Sequence, residues 1–284
     1  LRVFVFKLYV GNEMKKLKFR KIHRITCWLL LISALFFSCV GTKNFERIDT
    51  HIHLYDTHRK GSCEFLDSIT RKSIYYPHLV EDFVKTAGSA GVKYAIVVEA
   101  SFRREDNFWL AEQVENENTI KAFIANLDPR DPDFVNDLDS LSHYKKFRGI
   151  RIRTKTPIDI SASEVIETLG GLNKRNLVLE VRGFDPGVLT IARKYPEMPI
   201  IVDHLVGLRL NQGTIEPANW NEYLKILASE PNIYCKISAL YTISGMNPAP
   251  IDPNFYKPFI DPVVDQFGPE RVMFGSNWTL SDLR

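Results

Sequence analysis

Eight short apolar runs, rich in valine and isoleucine, lie at 45–50, 93–99, 120–127, 147–152, 177–181, 199–203, 232–237 and 271–276. Helix-compatible stretches separate them, near 79–90, 105–117, 131–143, 163–175, 185–195, 219–229 and 254–267. This alternation narrows the fold more than any other feature. Runs such as Tyr94-Ala-Ile-Val-Val98 and Pro199-Ile-Ile-Val202 are apolar at consecutive positions. That suits strands buried on both faces, as in a parallel sheet covered by helices. Asp131-Pro132, Ser163-Glu164 and Asp185-Pro186 read as helix starts, each with a capping residue before a helix-compatible one.

Strands alternating with helices leave an open doubly wound sheet or a closed barrel. The strand ends decide between them. Polar residues stand at or just past every one: His51/His53, Glu99, Asn126/Asp128, Arg151/Arg153, Glu180/Arg182, Asp203/His204, Lys236/Ser238 and Asn277. An open sheet binds at one switch point and needs polar groups from only a few strand ends. A barrel brings all of them to one mouth. No glycine-rich phosphate fingerprint follows the first strand. The expected fold is therefore α/β, a (β/α)8 TIM-like barrel over residues 39–284. The sequence given ends at Arg284, soon after the eighth strand, so the barrel is expected to lack its last helix by C-terminal truncation. The long first loop, Tyr55 to Pro77, takes up residues that such a helix would use.

The N-terminal region reads separately. Eight basic residues and one acid, Glu13, lie in residues 1–38, which more than accounts for the chain's net charge of +3 and leaves the remainder acidic. A nucleic-acid binder keeps its basic excess in the folded domain, so that class is excluded. Met14-Lys-Lys-Leu-Lys resembles a translational start, making 1–13 an upstream extension. A cationic segment, the apolar run Trp28–Phe37 and Ser38-Cys39 then form a signal peptide over 14–38. The run falls short of the roughly 20 apolar residues of a spanning helix. Cys39 fits the lipidated cysteine of an exported lipoprotein, so the membrane is met only through a lipid anchor; the alternative is an ordinary cleaved signal that leaves the protein periplasmic. Cys63 and Cys235 have no metal-type spacing and read as buried thiols.

The strongest chemical signal is Asp49-Thr-His-Ile-His-Leu54. Residues at i and i+2 on a strand share a face, so His51 and His53 point into the mouth together, as candidate ligands for a divalent metal, zinc first. The second is Ile200-Ile-Val-Asp-His-Leu-Val-Gly207, whose His204 can complete a metal site or move a proton; the bland alternative is a structural histidine bonded to Asp203. Arg151, Arg153 and Arg182 offer guanidinium groups that match a carboxylate bidentately, which points to an acidic small-molecule substrate. Lys236 has the same reading. The alternative for all four is ion pairing with Glu180, Glu99 or Asp128. His58, His78 and His143 are expected to be solvated.

Together with Phe147-Arg-Gly-Ile-Arg151, Asn232-Ile-Tyr-Cys-Lys-Ile-Ser238 and Arg271-Val-Met-Phe-Gly-Ser-Asn-Trp278, these segments resemble, in order, the amidohydrolase-related family, in its branch of sugar lactonases and pyrone dicarboxylate lactonases. The resemblance implies a distorted barrel that hydrolyses esters, lactones or amides, with decarboxylases among the relatives and metal dependence that varies. On the combined reading His51 and His53 bind a divalent ion or polarise the carbonyl, and His204, Arg151 and Asn277 are the catalytic candidates. In that family the eighth strand usually ends in an aspartate that activates water; here Asn277 stands there, with no carboxylate to accept a proton. Asp282 is a possible substitute. The rival functions are a decarboxylase on the same barrel and a non-catalytic lipoprotein that binds a sugar acid.

Overall fold

The computed structural model describes residues 46–283 apart from 62, 65, 67, 70, 100 and 211–216. The upstream extension, the signal peptide and Cys39 lie outside the described residues.

Eight strands form one sheet in chain order, each hydrogen-bonded to the next in parallel. They are β1 (Arg47–Ile52), β2 (Val92–Val98), β3 (Ile120–Asn126), β4 (Phe147–Arg151), β5 (Val178–Arg182), β6 (Ile200–Asp203), β7 (Ile233–Ser238) and β8 (Val272–Gly275). Seven helices cross between them: α1 (Val80–Gly88), α2 (Arg104–Val114), α3 (Phe134–Leu141), α4 (Ser163–Lys174), α5 (Gly187–Lys194), α6 (Pro217–Ala228) and α7 (Pro253–Phe267). The expected TIM-like barrel is thus the observed one, nearly closed. After β8 the described residues carry a 3-10 turn at Leu280–Leu283.

The seam between β8 and β1 is held by specific bonds. His53 N–H donates to the Trp278 carbonyl (2.7 Å), Asn277 N–H to the His51 carbonyl (2.9 Å) and Thr50 Oγ1 to the Phe274 carbonyl (2.7 Å). Asp49 Oδ1 accepts from the N–H groups of His51 (3.1 Å) and Ser276 (2.9 Å), one carboxylate bridging both strands. Gly275 allows the approach, because a Cβ there would come within 2.5 Å of the His51 Cβ. On the outer side of this seam Ile48 and Phe274 are exposed.

The core follows from the apolar runs. Phe123, Ile150, Leu179, Ile200 and Val202 on the strands, with Leu110, Leu138, Leu169 and Ile191 on the helices, are fully buried. Each such side chain contributes about 1.5–3 kcal/mol. All three expected helix starts differ from expectation. Ser163 is itself the first residue of α4 and makes no capping bond, since Ala162 occupies the cap. Asp131 and Asp185 instead accept from the backbone N–H two residues on (2.9 and 2.8 Å), turning the chain just before α3 and α5.

Three strand ends turn at once into left-handed backbone: His204, Leu205 and Val206 after β6 (φ 55°, 51° and 60°), Ala239 after β7 (57°) and Asn277 after β8 (61°). For residues bearing a Cβ this costs on the order of 1 kcal/mol or more each. Such strain collects where side chains must be aimed.

Candidate active site

The polar residues of the strand ends converge inside the mouth. His51, at the end of β1, is fully buried, and His53 follows just beyond with its ring centroid 5.0 Å away. The His53 Nδ1 lies 2.7 Å from the Val98 carbonyl and therefore carries a proton. Burial, then the Arg151 charge, push its pKa down to about 3, so the ring is neutral. A neutral ring that donates through Nδ1 can only accept at Nε2. The Asn277 Oδ1 stands 3.2 Å from that nitrogen; two acceptors cannot bond each other, so the satisfied arrangement exchanges the ends of the amide and turns its NH2 toward the ring.

Beneath the histidines is a buried charge cluster. Lys236 Nζ lies 2.6 Å from Glu180 Oε2, 3.6 Å from Asp203 Oδ1 and 3.3 Å from His51 Nδ1. The same His51 nitrogen is 3.4 Å from both Glu180 Oε1 and Asp203 Oδ1. On its other side, Arg151 Nη1 is 3.4 Å from His51 Nε2 and 3.9 Å from Asp203 Oδ2, while Nη2 donates to the Glu99 carbonyl. Burial, then the Asp203 charge, raise the Glu180 pKa to about 8. Burial works against ionisation of Asp203 too, but His51 and Lys236 outweigh it and hold that carboxyl well below the usual range. Neither Asp203 oxygen makes a hydrogen bond among the described residues.

His204 faces this cluster from the end of β6, its ring centroid 4.8 Å from that of His51. Its Nδ1 is 2.8 Å from Ser238 Oγ, at the end of β7, and its backbone N–H donates to the same oxygen at 3.2 Å. Burial drives the His204 pKa well down. The expected alternative, a histidine tied to Asp203, is therefore not the arrangement found; Ser238 is the partner.

The arginines divide by depth. Arg151 is buried among the acids, Arg182 is exposed and Arg153 is half-buried with its guanidinium 4.4 Å over the Phe102 ring. Burial, then Arg151, Arg182 and Arg71, push the Arg153 pKa down to about 10, still protonated at neutral pH. Such mutual repulsion marks a cationic mouth. Lys236 sits with Glu180 in the buried cluster rather than at that mouth. Asp282 is exposed on the 3-10 turn. His58 and His143 are exposed as expected, but His78 is not: its backbone pairs with Tyr55, and its ring packs among Tyr55, Tyr76 and Trp278. Cys63 and Cys235 are buried, as expected.

His51, Asp203 and His204 place ligand atoms within 4.8 Å of one another and form a possible metal site; His53 falls outside that group. The residue types suit a divalent ion, and the two unbonded Asp203 oxygens are open to one. The pairings do not suit it. Lys236 and Arg151 stand on the two sides of His51, whose neutral ring accepts from only one of them, Ser238 lies on His204 Nδ1, and a dication would enter a buried space that already holds two cations. As arranged, the set does not fit the ion. The importance of Asp203 and Glu180 was visible in the sequence only as acids at strand ends; their closure around His51 is a product of the barrel.

The family model described as amidohydrolase matches residues 48–284. The chain belongs to the amidohydrolase family. Within the amidohydrolases it is 28% identical over 243 residues to an L-fucono-1,5-lactonase of Burkholderia ambifaria, covering 84% of this chain and 81% of that one. A crystal structure of an amidohydrolase from Burkholderia multivorans with bound zinc superposes with a TM-score of 0.73 at 22% identity, covering 84% of this chain and 86% of that one. That of a probable 2-pyrone-4,6-dicarboxylic acid hydrolase from Acinetobacter baumannii, with citric acid bound, gives 0.64 at 16% identity over 83% and 85%. At these identities the two structures speak for the fold.

Proposed function

We propose that this amidohydrolase opens a lactone or ester of an acidic small molecule, a sugar-acid lactone or a dicarboxylate, by adding water to its carbonyl. Asp203 carries the reading: a buried, ionised carboxylate with neither oxygen hydrogen-bonded, set among histidines and two cations. Its unbonded lone pairs can orient and accept from an attacking water, while the cations that keep it ionised also lower its strength as a base. Arg153 and Arg182 hold the substrate's anionic part at the mouth, and Arg151 and Lys236 supply positive charge where the carbonyl oxygen gains electrons. Water adds to the carbonyl carbon, its proton passing to Asp203. The ring C–O bond then breaks, and the departing alkoxide takes that proton back. Asn277 accepts no proton; with its NH2 on His53, its oxygen faces the mouth as a hydrogen-bond acceptor for water. The lactonase likeness supports a lactone as substrate, and the citric acid bound in the pyrone hydrolase supports an anionic group on it. A divalent ion, zinc foremost, would supply a Lewis acid in the same place, but the pairing of His51 with Lys236 and Arg151 argues for a carbonyl polarised by side chains.

A panel of sugar-acid lactones, dicarboxylate lactones and neutral esters, with bound metal assayed alongside, tests this. Turnover of a lactone is expected, falling by about 10²–10⁴-fold in Asp203→Asn, as for loss of a general base. Ligand binding without turnover, or release of carbon dioxide, would replace the hydrolase by its binding or decarboxylase rival. We further propose, on the sequence of residues 14–39, that the enzyme is exported and anchored through Cys39. Cys39→Ser should then accumulate as unprocessed precursor or leave the membrane fraction, and normal processing with membrane retention would refute the anchor.

A further inference from the structure

Ser238 gathers two nitrogens of one residue. Its hydroxyl accepts the His204 backbone N–H at 3.2 Å and lies 2.8 Å from the His204 Nδ1. The left-handed backbone at His204 brings both nitrogens to the same oxygen, and the turn is held from behind by Trp220 Nε1, which donates to the Leu205 carbonyl at 2.7 Å. Ser238 is fully buried, so its own hydroxyl proton has no water to meet. With the backbone N–H already donated to the oxygen, the acceptor in reach of that proton among the described residues is the His204 Nδ1. Were Nδ1 itself protonated, Ser238 Oγ would accept twice and its proton would stay unsatisfied in the interior, an arrangement that folded proteins avoid.

We propose that Ser238 is a positioning residue that keeps the His204 proton on Nε2, so that His204 meets the substrate as a neutral hydrogen-bond donor rather than as a base or a metal ligand. Burial, which disfavours a second proton on the ring, agrees with this. A neutral imidazole N–H stabilises the oxyanion of the tetrahedral adduct without giving up its proton. It leaves Asp203 as the base, and it removes one of the three donors from the possible metal site. The inference rests on the hydrolytic reading for what His204 does, but not for where its proton lies.

The test separates the two. Long-range 1H–15N spectra of the full chain, with 15N-histidine and chelator treatment, report which ring nitrogen carries hydrogen; His204→Asn identifies the signals. Wild type should show a bare Nδ1 and a protonated Nε2 for His204. In Ser238→Ala that signature should shift toward the other tautomer, with kcat on any lactone substrate falling about 10–100-fold and KM nearly unchanged. Ser238→Cys, which keeps a weak donor, should recover part of both. A protonated Nδ1 in the wild type overturns the proposal, as does an unaltered tautomer in a folded Ser238→Ala. So does loss of the Nε2–H signal on adding zinc. Because the wild-type spectrum decides the first point, a misfolded variant does not rescue it. The expected spectrum from a protein that hydrolyses nothing would sink the hydrolase reading and leave the role of Ser238 intact.

Discussion

Glu180→Gln gives a direct measure of the buried charge cluster through pH. The folded pKa values of His51, His53 and His204 are depressed by burial. The unfolded chain therefore binds more protons than the native one below about 6.5. Their contribution makes stability rise with pH up to that point and then level off. Glu180 acts in the opposite sense. Its pKa is raised from 4.5 to about 8, so the native state holds the extra proton and stability falls as pH climbs through that window. Between pH 6.5 and 8 the histidines are silent and Glu180 remains. At about 1.4 kcal/mol per pH unit, the loss over that interval is about 2 kcal/mol at most. For a domain of this size that is about 4–8 °C in melting temperature. Gln keeps an oxygen for the Lys236 ammonium, 2.6 Å away, but cannot ionise. Glu180→Gln should thus melt near wild type at pH 6.5 and lose little by pH 8. Asp49 and Asp282, also raised by burial, act in both proteins alike and cancel in the comparison. Circular-dichroism melts of chelator-treated protein at half-unit steps suffice. Parallel curves for the two proteins would refute the placement of an extra native-state proton on Glu180.

Lys236→Met should cost about 3–5 kcal/mol in urea unfolding, because it strands the buried Asp203 carboxylate, and adding Asp203→Asn should recover much of that; equal losses in single and double variants would show that the pair is not coupled. Asn277→Asp sets a carboxylate beside the His53 ring, so the His53 pKa should climb from about 3 by more than about one unit, read by NMR titration; no change would mean that the side chain at 277 does not reach the ring. Arg153→Ala should raise KM for carboxylate-bearing substrates about tenfold with kcat little altered, as one charge-assisted contact is worth, and a kcat effect alone would move Arg153 from binding into the chemistry.

Local chemistry in the sequence determined the order of elements and the residues at their ends. Runs such as Tyr94–Val98 and Pro199–Val202 have no polar face to offer water, and the observed strands differ from the expected bounds by no more than a few residues. The spacing of His51 and His53 and the departure at Asn277 were legible for the same reason: they depend only on position along one strand. What the tertiary structure decided are the relations between strands. Ser163 lost its expected cap to Ala162, and His78 was drawn into an aromatic cage by pairing with Tyr55; neither contact has a local signal. Above all, closure of the barrel carried Glu180, Asp203 and Lys236 from three separate strands to one imidazole, and it set Ser238 under His204. Each of those residues reads in the sequence as an ordinary polar strand end. Its pKa, proton position and role arise from burial and from neighbours dozens of residues away, which only the closed sheet brings within hydrogen-bonding reach.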